Sequence, residues 1–174
     1  AHGNAGRHRS GGTRLEAVAQ QVADVLNVTL TSEEKKRLQQ TTKVDPEGYN
    51  LYLQGIYYIK RLSYEDALKA IGFFDKALDR DPNYAPALTG KAWGIFNLGW
   101  SGAITMEKTV KEVSPILKKA ISIDSNLSLA YSIYGWLSMN NDWNLNEAEK
   151  HFLKAYQIDP GDDIAISGLM FRYM

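Results

Sequence analysis

The chain has 174 residues and no cysteine, and its 20 basic side chains balance its 20 acidic side chains. Zero formal charge provides no long-range field toward nucleic acid, and the lack of cysteine excludes disulfides and thiolate metal sites. Apolar residues make up 44% of the sequence, which is typical of folded domains rather than disordered chains. The longest apolar runs are only a few residues, so we expect neither nucleic acid as a partner nor insertion into a membrane.

The N-terminal part of the chain divides into two segments. Residues 1–13 are rich in glycine and show no hydrophobic period, which is typical of a flexible leader or a cloning remnant. Residues 14–44 are predicted to be an N-terminal helical segment, since their apolar residues at 15–26 recur at helical spacing. Thr31–Glu34 then has the form of a capping box that opens a short polar helix.

Three segments in the rest of the chain share one pattern. Each has a large apolar residue, an alanine three places later and an Asp-Pro or Asp-Ser pair at its end. Residues three apart share a face of a helix, so the large and the small side chain are expected to pack as a pair. Asp-Pro predicts the end of that helix, because the residue before proline avoids the α region. The pairs are Phe74 with Ala77, Leu117 with Ala120, and Phe152 with Ala155.

The helix predicted before each of these motifs carries a small residue where two helices are expected to cross. Gly55, Ala92 and Gly135 occupy this register, and Met170 takes it in a final, incomplete unit. A glycine inside a helix costs about 1 kcal/mol relative to alanine. Its recurrence therefore predicts that another element packs closely against it.

These residues resemble the consensus of the tetratricopeptide repeat (TPR), a helix-turn-helix unit of about 34 residues. The resemblance implies an all-α solenoid over residues 45–174, with about three repeats and a partial fourth helix, preceded by an N-terminal amphipathic helix. The predicted repeats cover residues 46–82, 83–125, 126–160 and, in part, 161–174, and the middle repeat is expected to carry an insertion of about nine residues. The matching residues are Leu51, Gly55, Tyr58, Ala70, Phe74, Ala77 and Pro82, then Tyr131, Tyr134, Gly135, Ala148, Phe152, Ala155 and Pro160.

The order of the motifs is similar to that of the TPR segment downstream of a TolB-like region in bacterial adenylate cyclases, CadC-type winged-helix regulators and some Ser/Thr kinases. This resemblance implies a regulatory or scaffolding part of a larger bacterial signalling protein. The start at Ala1 and the end at Met174, in mid-pattern, also favour a piece of a longer polypeptide. A cytoplasmic location is favoured, and a periplasmic one stays open.

Nothing in the sequence predicts catalysis, a cofactor or a metal site. The histidines are His2, His8 and His151, and the last is interpreted as a surface residue because it has no partner at i+4 with which to bind a metal. Gly90 and Lys91 lack the other residues of a phosphate-binding loop, and no nucleophile–base pair is indicated. We therefore predict a protein that is not an enzyme and that binds another protein or a peptide.

The inner surface of the predicted solenoid is the candidate binding site. The position after each crossing residue is bulky and apolar, and positions three before and five after it are mostly polar. An apolar floor with polar edges suits a groove for a helix or an extended peptide. A clamp for acidic C-termini is not expected, because tryptophan stands where such grooves usually present asparagine or lysine. The predicted groove residues are Tyr52, Ile56, Lys60, Thr89, Trp93, Asn97, Ser132, Trp136, Asn140 and Phe171.

Several alternatives stay open at the level of sequence. Trp93 and Trp136 could simply fill the space between helices, or residues 15–26 could fill the groove, which would make the array a structural spacer. The unfinished end at Phe171–Met174 could be covered by a second copy in a homodimer. The insertion around residues 100–108 is a secondary candidate for contact, since long loops often carry function.

Overall fold

A computed structural model describes residues 45–61, 63–142 and 144–173 of the protein. The predicted leader at 1–13 and the predicted helical segment at 14–44 lie outside these residues. The proposal that residues 15–26 fill the groove lies outside them as well.

Seven α-helices make up the described part of the chain, joined by short turns and without a strand. This confirms the prediction of an all-α architecture. The helices are α1 (Pro46–Ile59), α2 (Tyr64–Arg80), α3 (Ala85–Trp100), α4 (Met106–Ile123), α5 (Ser128–Asp142), α6 (Leu145–Ile158) and α7 (Asp163–Tyr173).

The second helix of each pair begins at a polar residue that caps it. The side chains of Ser63, Thr105 and Asn144 accept hydrogen bonds from backbone N–H groups three residues later, at 3.1, 3.2 and 3.1 Å. Such caps satisfy one of the N–H groups that a helix start leaves without an intrahelical partner. Local sequence therefore sets where α2, α4 and α6 begin.

An aspartate in extended conformation ends each second helix. Asp81, Asp124 and Asp159 follow α2, α4 and α6, and each carboxylate accepts the backbone N–H two residues on, at 2.9 Å. This turn does not require a proline. It explains why α4 ends like its two counterparts although Ser125 replaces the proline after its aspartate.

The helices stack as consecutive pairs in two layers. The first helices contact one another in series, α1 with α3, α3 with α5 and α5 with α7. Within the described residues, α2, α4 and α6 make no such contacts with each other. The first helices therefore lie closer together and form the inner, concave layer of the stack.

The first helices approach so closely because the aromatic ring of a second helix sits against glycines of two first helices. Phe74 is fully buried, and a Cβ atom added at Gly55 or at Gly90 would lie only 2.5 Å from its ring. Phe152 is packed in the same way against Gly135 and Gly168. The predicted close packing at Gly55 and Gly135 is thereby confirmed.

The ring of a second helix contacts the following first helix two residues before the crossing position of that helix. On α3 the residue against Phe74 is Gly90, whereas the predicted crossing residue Ala92 is buried in the core cluster that contains Leu117, the large residue of its own pair. On α7 the residue against Phe152 is Gly168, and the predicted crossing residue Met170 is exposed.

The middle pair departs from the other two in length. Its helices have 16 and 18 residues, against 14 and 17 in the first pair and 15 and 14 in the third. The connection at residues 101–105 includes Gly102, whose φ of 78° lies in the left-handed region that favours glycine. The extra length is thus divided between two longer helices and a short turn.

Replacing Gly90 with alanine tests the aromatic–glycine packing. We expect Gly90→Ala to lower the free energy of unfolding by about 1–3 kcal/mol, because the added methyl group forces the Phe74 ring or the helices to move. The matched control is Gly72→Ala in the middle of α2, where a Cβ atom would meet nothing within 4 Å. That change should raise stability by about 0.5–1 kcal/mol. Equal effects of the two substitutions in urea unfolding would refute the packing argument.

Candidate functional site

A cavity of about 860 Å³ opens on the concave layer of the stack. The ends of α1 and α3, the start of α2, the middle of α5 and the first turns of α7 line it. Four of the ten predicted groove residues belong to this lining. They are Lys60, Trp93, Asn97 and Trp136.

A series of aromatic rings runs along the cavity and beyond it. Phe96 lies 6.0 Å from Trp100, Trp100 lies 5.3 Å from Trp136 with an edge-to-face geometry, and Trp136 lies 6.2 Å from Phe171, all between ring centroids. Trp100 and Phe171 remain 57% and 58% exposed. The series thus presents apolar ring surface to a ligand.

Trp136 belongs to both the groove and the core. Its ring packs edge-to-face on the buried Phe152 at 5.7 Å, and its Nε1 donates a hydrogen bond to the carbonyl of Ile164 at 3.3 Å. Trp93 is half-buried and packs against the central core cluster. Both tryptophans therefore fill space between helices and line the cavity at the same time.

Trp100 is a cavity residue that the sequence-based list of groove residues omitted. It is the last residue of α3, within the segment expected to carry the insertion. The turn that follows folds back on this helix end, since the backbone N–H groups of Ser101 and Ala103 donate to Asn97 and Leu98 at 3.0 and 2.9 Å. The sequence feature that could have indicated Trp100 is its position at the start of the segment expected to carry the insertion.

Thr89 and Ser132 do not form the polar edge of the groove, contrary to the prediction. They are 3% and 0% exposed. The Thr89 hydroxyl donates to the carbonyl of Ala85, one turn earlier in its own helix, at 3.1 Å. The Ser132 hydroxyl donates to a carboxylate oxygen of Asp162 at 2.9 Å. Both side chains are therefore buried within the stack of helices and do not lie on the concave surface.

The contact between Ser132 and Asp162 joins α5 to the start of α7. Asp162 is buried, and its other carboxylate oxygen accepts the backbone N–H of Ala165 at 2.9 Å, which caps α7. One aspartate therefore both starts the last helix and attaches it to the preceding first helix. Ser132 therefore affects the groove indirectly, because it helps to fix the position of α7, which lines the cavity.

The other predicted groove residues lie outside the cavity lining. Tyr52 packs against Tyr84 at 5.4 Å and Phe74 at 6.0 Å, and burial raises the pKa of its hydroxyl. Ile56 is half-buried on α1. The Asn140 amide donates to the carbonyl of Trp136 at 2.7 Å. Phe171 borders the cavity through its contact with Trp136.

The amide of Asn97 is the one polar group of the cavity that is buried without a partner. Its Nδ2 is the only such side-chain atom among the described residues. Asn140, at the corresponding place on α5, uses the same atom to bond its own helix. Because buried polar groups are almost always paired, an unpaired amide in a cavity wall points to a group that a ligand completes.

The charges in the cavity wall cancel. Lys60 and Asp163 are the charged residues of the described lining, and both are exposed. Arg61, next to the cavity, is paired with Asp66 at 3.1 Å. The site is therefore an apolar, aromatic surface with one unpaired amide and no concentration of either charge.

His151 lies on α6 and is half-buried, not the surface residue expected from the sequence. It stacks on the ring of Tyr134 at 5.2 Å, with its Nε2 3.7 Å from a carboxylate oxygen of Glu147. Within the part of the chain that the structure describes, no three His, Asp or Glu side chains are grouped so as to hold a metal ion. No helix described there is long and apolar enough to cross a membrane.

Comparison with known proteins identifies the architecture. No protein-family model matches the sequence, and no curated protein matches it. Solved structures do. The first TPR domain of human RPAP3 is 21% identical, with a TM-score of 0.56 over 73% of this chain and 90% of that domain. The first TPR of Spaghetti (RPAP3), bound to the HSP90 peptide SRMEEVD, is 23% identical, with a TM-score of 0.56 over 75% of this chain and 94% of that one.

These similarities show that the described helices form an all-α TPR solenoid, as predicted. The predicted resemblance to one bacterial subgroup of TPR segments stays a prediction.

Removing the Ser132 hydroxyl should weaken the attachment of α7. We expect Ser132→Ala to lower the free energy of unfolding by about 1–3 kcal/mol, because it leaves one oxygen of the buried Asp162 carboxylate without a donor. The control is Ser122→Ala on α4, where an exposed hydroxyl donates to the carbonyl of Lys119. That change should stay within about 0.5 kcal/mol in urea unfolding. Similar losses for both variants would contradict the anchoring role of Ser132.

His151 should make stability depend on pH. Burial, with Lys150 nearby, lowers the pKa of His151 below its ordinary value of 6.5, although Glu147 opposes the shift. The unfolded chain therefore takes up the proton first as pH falls, and stability decreases from pH 6.5 downward. Urea unfolding near pH 7.5 and pH 5.5 should show a larger loss for the wild type than for His151→Gln. An equal loss would mean that His151 is not responsible.

Proposed function

We propose that the protein is a non-catalytic scaffold that holds a peptide or a segment of a partner protein in its concave groove. The observation that carries this proposal is the aromatic cavity in which exposed Trp100 lies on the same helix as the unpaired amide of Asn97. Concave apolar surfaces with few, well-placed polar groups are typical of binding sites. Aromatic side chains at the centre of an interface commonly contribute most of the binding energy.

The comparison with solved structures supports a peptide as the ligand. The first TPR of Spaghetti has the same fold and is bound to an HSP90 peptide. A TPR solenoid is therefore a suitable scaffold for binding a peptide. Which peptide binds depends on the side chains of the groove, and these are specific to each chain.

The setting that we propose is the regulatory part of a larger bacterial signalling protein. This part of the proposal rests on the order of the motifs in the sequence, which resembles TPR segments attached to cyclases, transcription regulators and kinases. In such a protein the solenoid would bind a partner or a neighbouring domain, and catalysis would belong to another part of the polypeptide.

Self-association is a second candidate function, and one observation favours it. Met170 and Phe171 on α7 are each 58% exposed, so the last described helix presents apolar surface. A second copy that covers this surface would give a homodimer. Light scattering over a range of concentrations tests this, with Met170→Ser/Phe171→Ser expected to lower the observed mass if self-association occurs.

Selection from a library of random peptides displayed on phage tests the proposal that the groove binds peptides. We expect the wild type to enrich peptides whose affinity falls about tenfold or more with Trp100→Ala, since burying a large aromatic surface contributes well over 1.4 kcal/mol. The control is Tyr156→Ala, which removes an exposed aromatic ring from α6, away from the cavity. Circular dichroism checks that both variants keep their helices. Failure to enrich any peptide, or equal losses in both variants, would reject the groove as a peptide site.

A further inference from the structure

We infer that the groove selects an uncharged, apolar peptide segment, and that Trp100 is the residue that determines this selectivity. The inference rests on the proposed function, because it specifies the chemical class of the ligand that the groove takes. It follows from the charges, the aromatic surface and the unpaired amide of the cavity.

The charges of the cavity argue against an acidic ligand. Lys60 is the only cation of the described lining, and the carboxylate of Asp163 balances it. Lys60 is exposed, and an ion pair in that setting contributes little. A ligand carboxylate placed over the indole rings would lose its hydration without gaining a buried cation. The cavity therefore disfavours acidic side chains and free C-terminal carboxylates.

The aromatic surface of the cavity favours apolar side chains. The rings of Phe96, Trp100 and Trp136 follow one another at 6.0 and 5.3 Å between centroids, so they form a continuous surface. Its burial by leucine, isoleucine or aromatic side chains removes apolar area from water on both partners. An apolar face of two or three such side chains would cover it.

Trp100 contributes the largest part of this surface that is free for a ligand. Trp136 is held by the core through Phe152 and by a hydrogen bond to Ile164, and Trp93 is half-buried against the core cluster. Trp100 packs against Phe96 and Trp136 but remains 57% exposed. Its loss should therefore remove ligand contacts while leaving the fold intact.

Asn97 supplies the polar contact that orients the segment. Its Nδ2 lies in the cavity wall without a partner among the described residues, one helical turn before the end of α3. A backbone carbonyl of the ligand can accept from this amide once the side chain turns toward the cavity. A neutral peptide thus satisfies the buried, unpaired amide of Asn97 and covers the aromatic rings of the described lining.

The test uses fluorescein-labelled synthetic copies of the peptides enriched by phage display, measured by fluorescence anisotropy against the full chain. Each peptide is made as a C-terminal amide and as a free acid, and with aspartate in place of its central apolar residue. We expect the aspartate to weaken binding at least about tenfold, and the free acid to bind no better than the amide. Trp100→Ala should weaken binding about tenfold or more, and Lys60→Ala less than about threefold.

Two contrary results have different meanings. Peptides that bind better as free acids or with aspartate, and that depend on Lys60 but not on Trp100, would overturn this inference and leave the groove as a peptide site. Absence of any peptide that depends on the groove would overturn the inference together with the proposed function. Acrylamide quenching gives a second readout, because bound peptide should protect wild-type tryptophan fluorescence more than that of Trp100→Phe.

Discussion

The packing of one large side chain between two small ones sets the spacing of the whole solenoid. Phe74 sits against Gly55 and Gly90, and the space around its ring leaves no room for a Cβ atom on either helix. In the middle pair the same place is taken by a smaller side chain, Leu117, and its neighbours in the core cluster are correspondingly larger, Ala92 and Ile133. A smaller central side chain is thus compensated by larger neighbours, so the total side-chain volume at this place stays similar, as close-packed cores require. This packing offsets the free-energy cost of placing glycine inside a helix.

This spacing decides what the concave surface can present. With the large side chains of the second helices buried, the first helices contact one another, and bulky residues at their inner positions meet across the groove. Trp136 is an example. Its ring contacts the buried Phe152 in the core and the exposed Trp100 in the groove. Because the core holds Trp136 in place, we expect this ring to keep its position when a ligand binds. Such preorganisation lowers the entropic cost of binding.

The sequence predicts the features that depend on local chemistry. The pairs of a large residue and an alanine, and the aspartates that end the second helices, are local patterns. The helix pairs could therefore be placed from the sequence, and the TPR solenoid is confirmed. Features that depend on how two helices cross could not be placed. Phe74 contacts α3 at Gly90, two residues before the crossing residue Ala92, and Ser132 contacts Asp162 thirty residues along the chain. The groove residues were predicted by counting a fixed number of positions from each crossing residue. Such counting does not include the geometry of helix crossing, and for this reason it assigned the buried Thr89 and Ser132 to the groove surface.

The groove is most distinctive where the chain departs from the repeat pattern. The middle pair has the weakest match to the consensus, and Trp100 is the last residue of its first helix, which is longer than the other first helices of complete pairs. The unpaired amide of Asn97 lies one turn before it, whereas its counterpart Asn140 in the more regular third pair is satisfied within its own helix. Local irregularity and an unsatisfied polar group thus coincide in one turn of α3. Sequences that fold well are consistent at every level except where function requires otherwise, and this turn is where the described structure makes that exception.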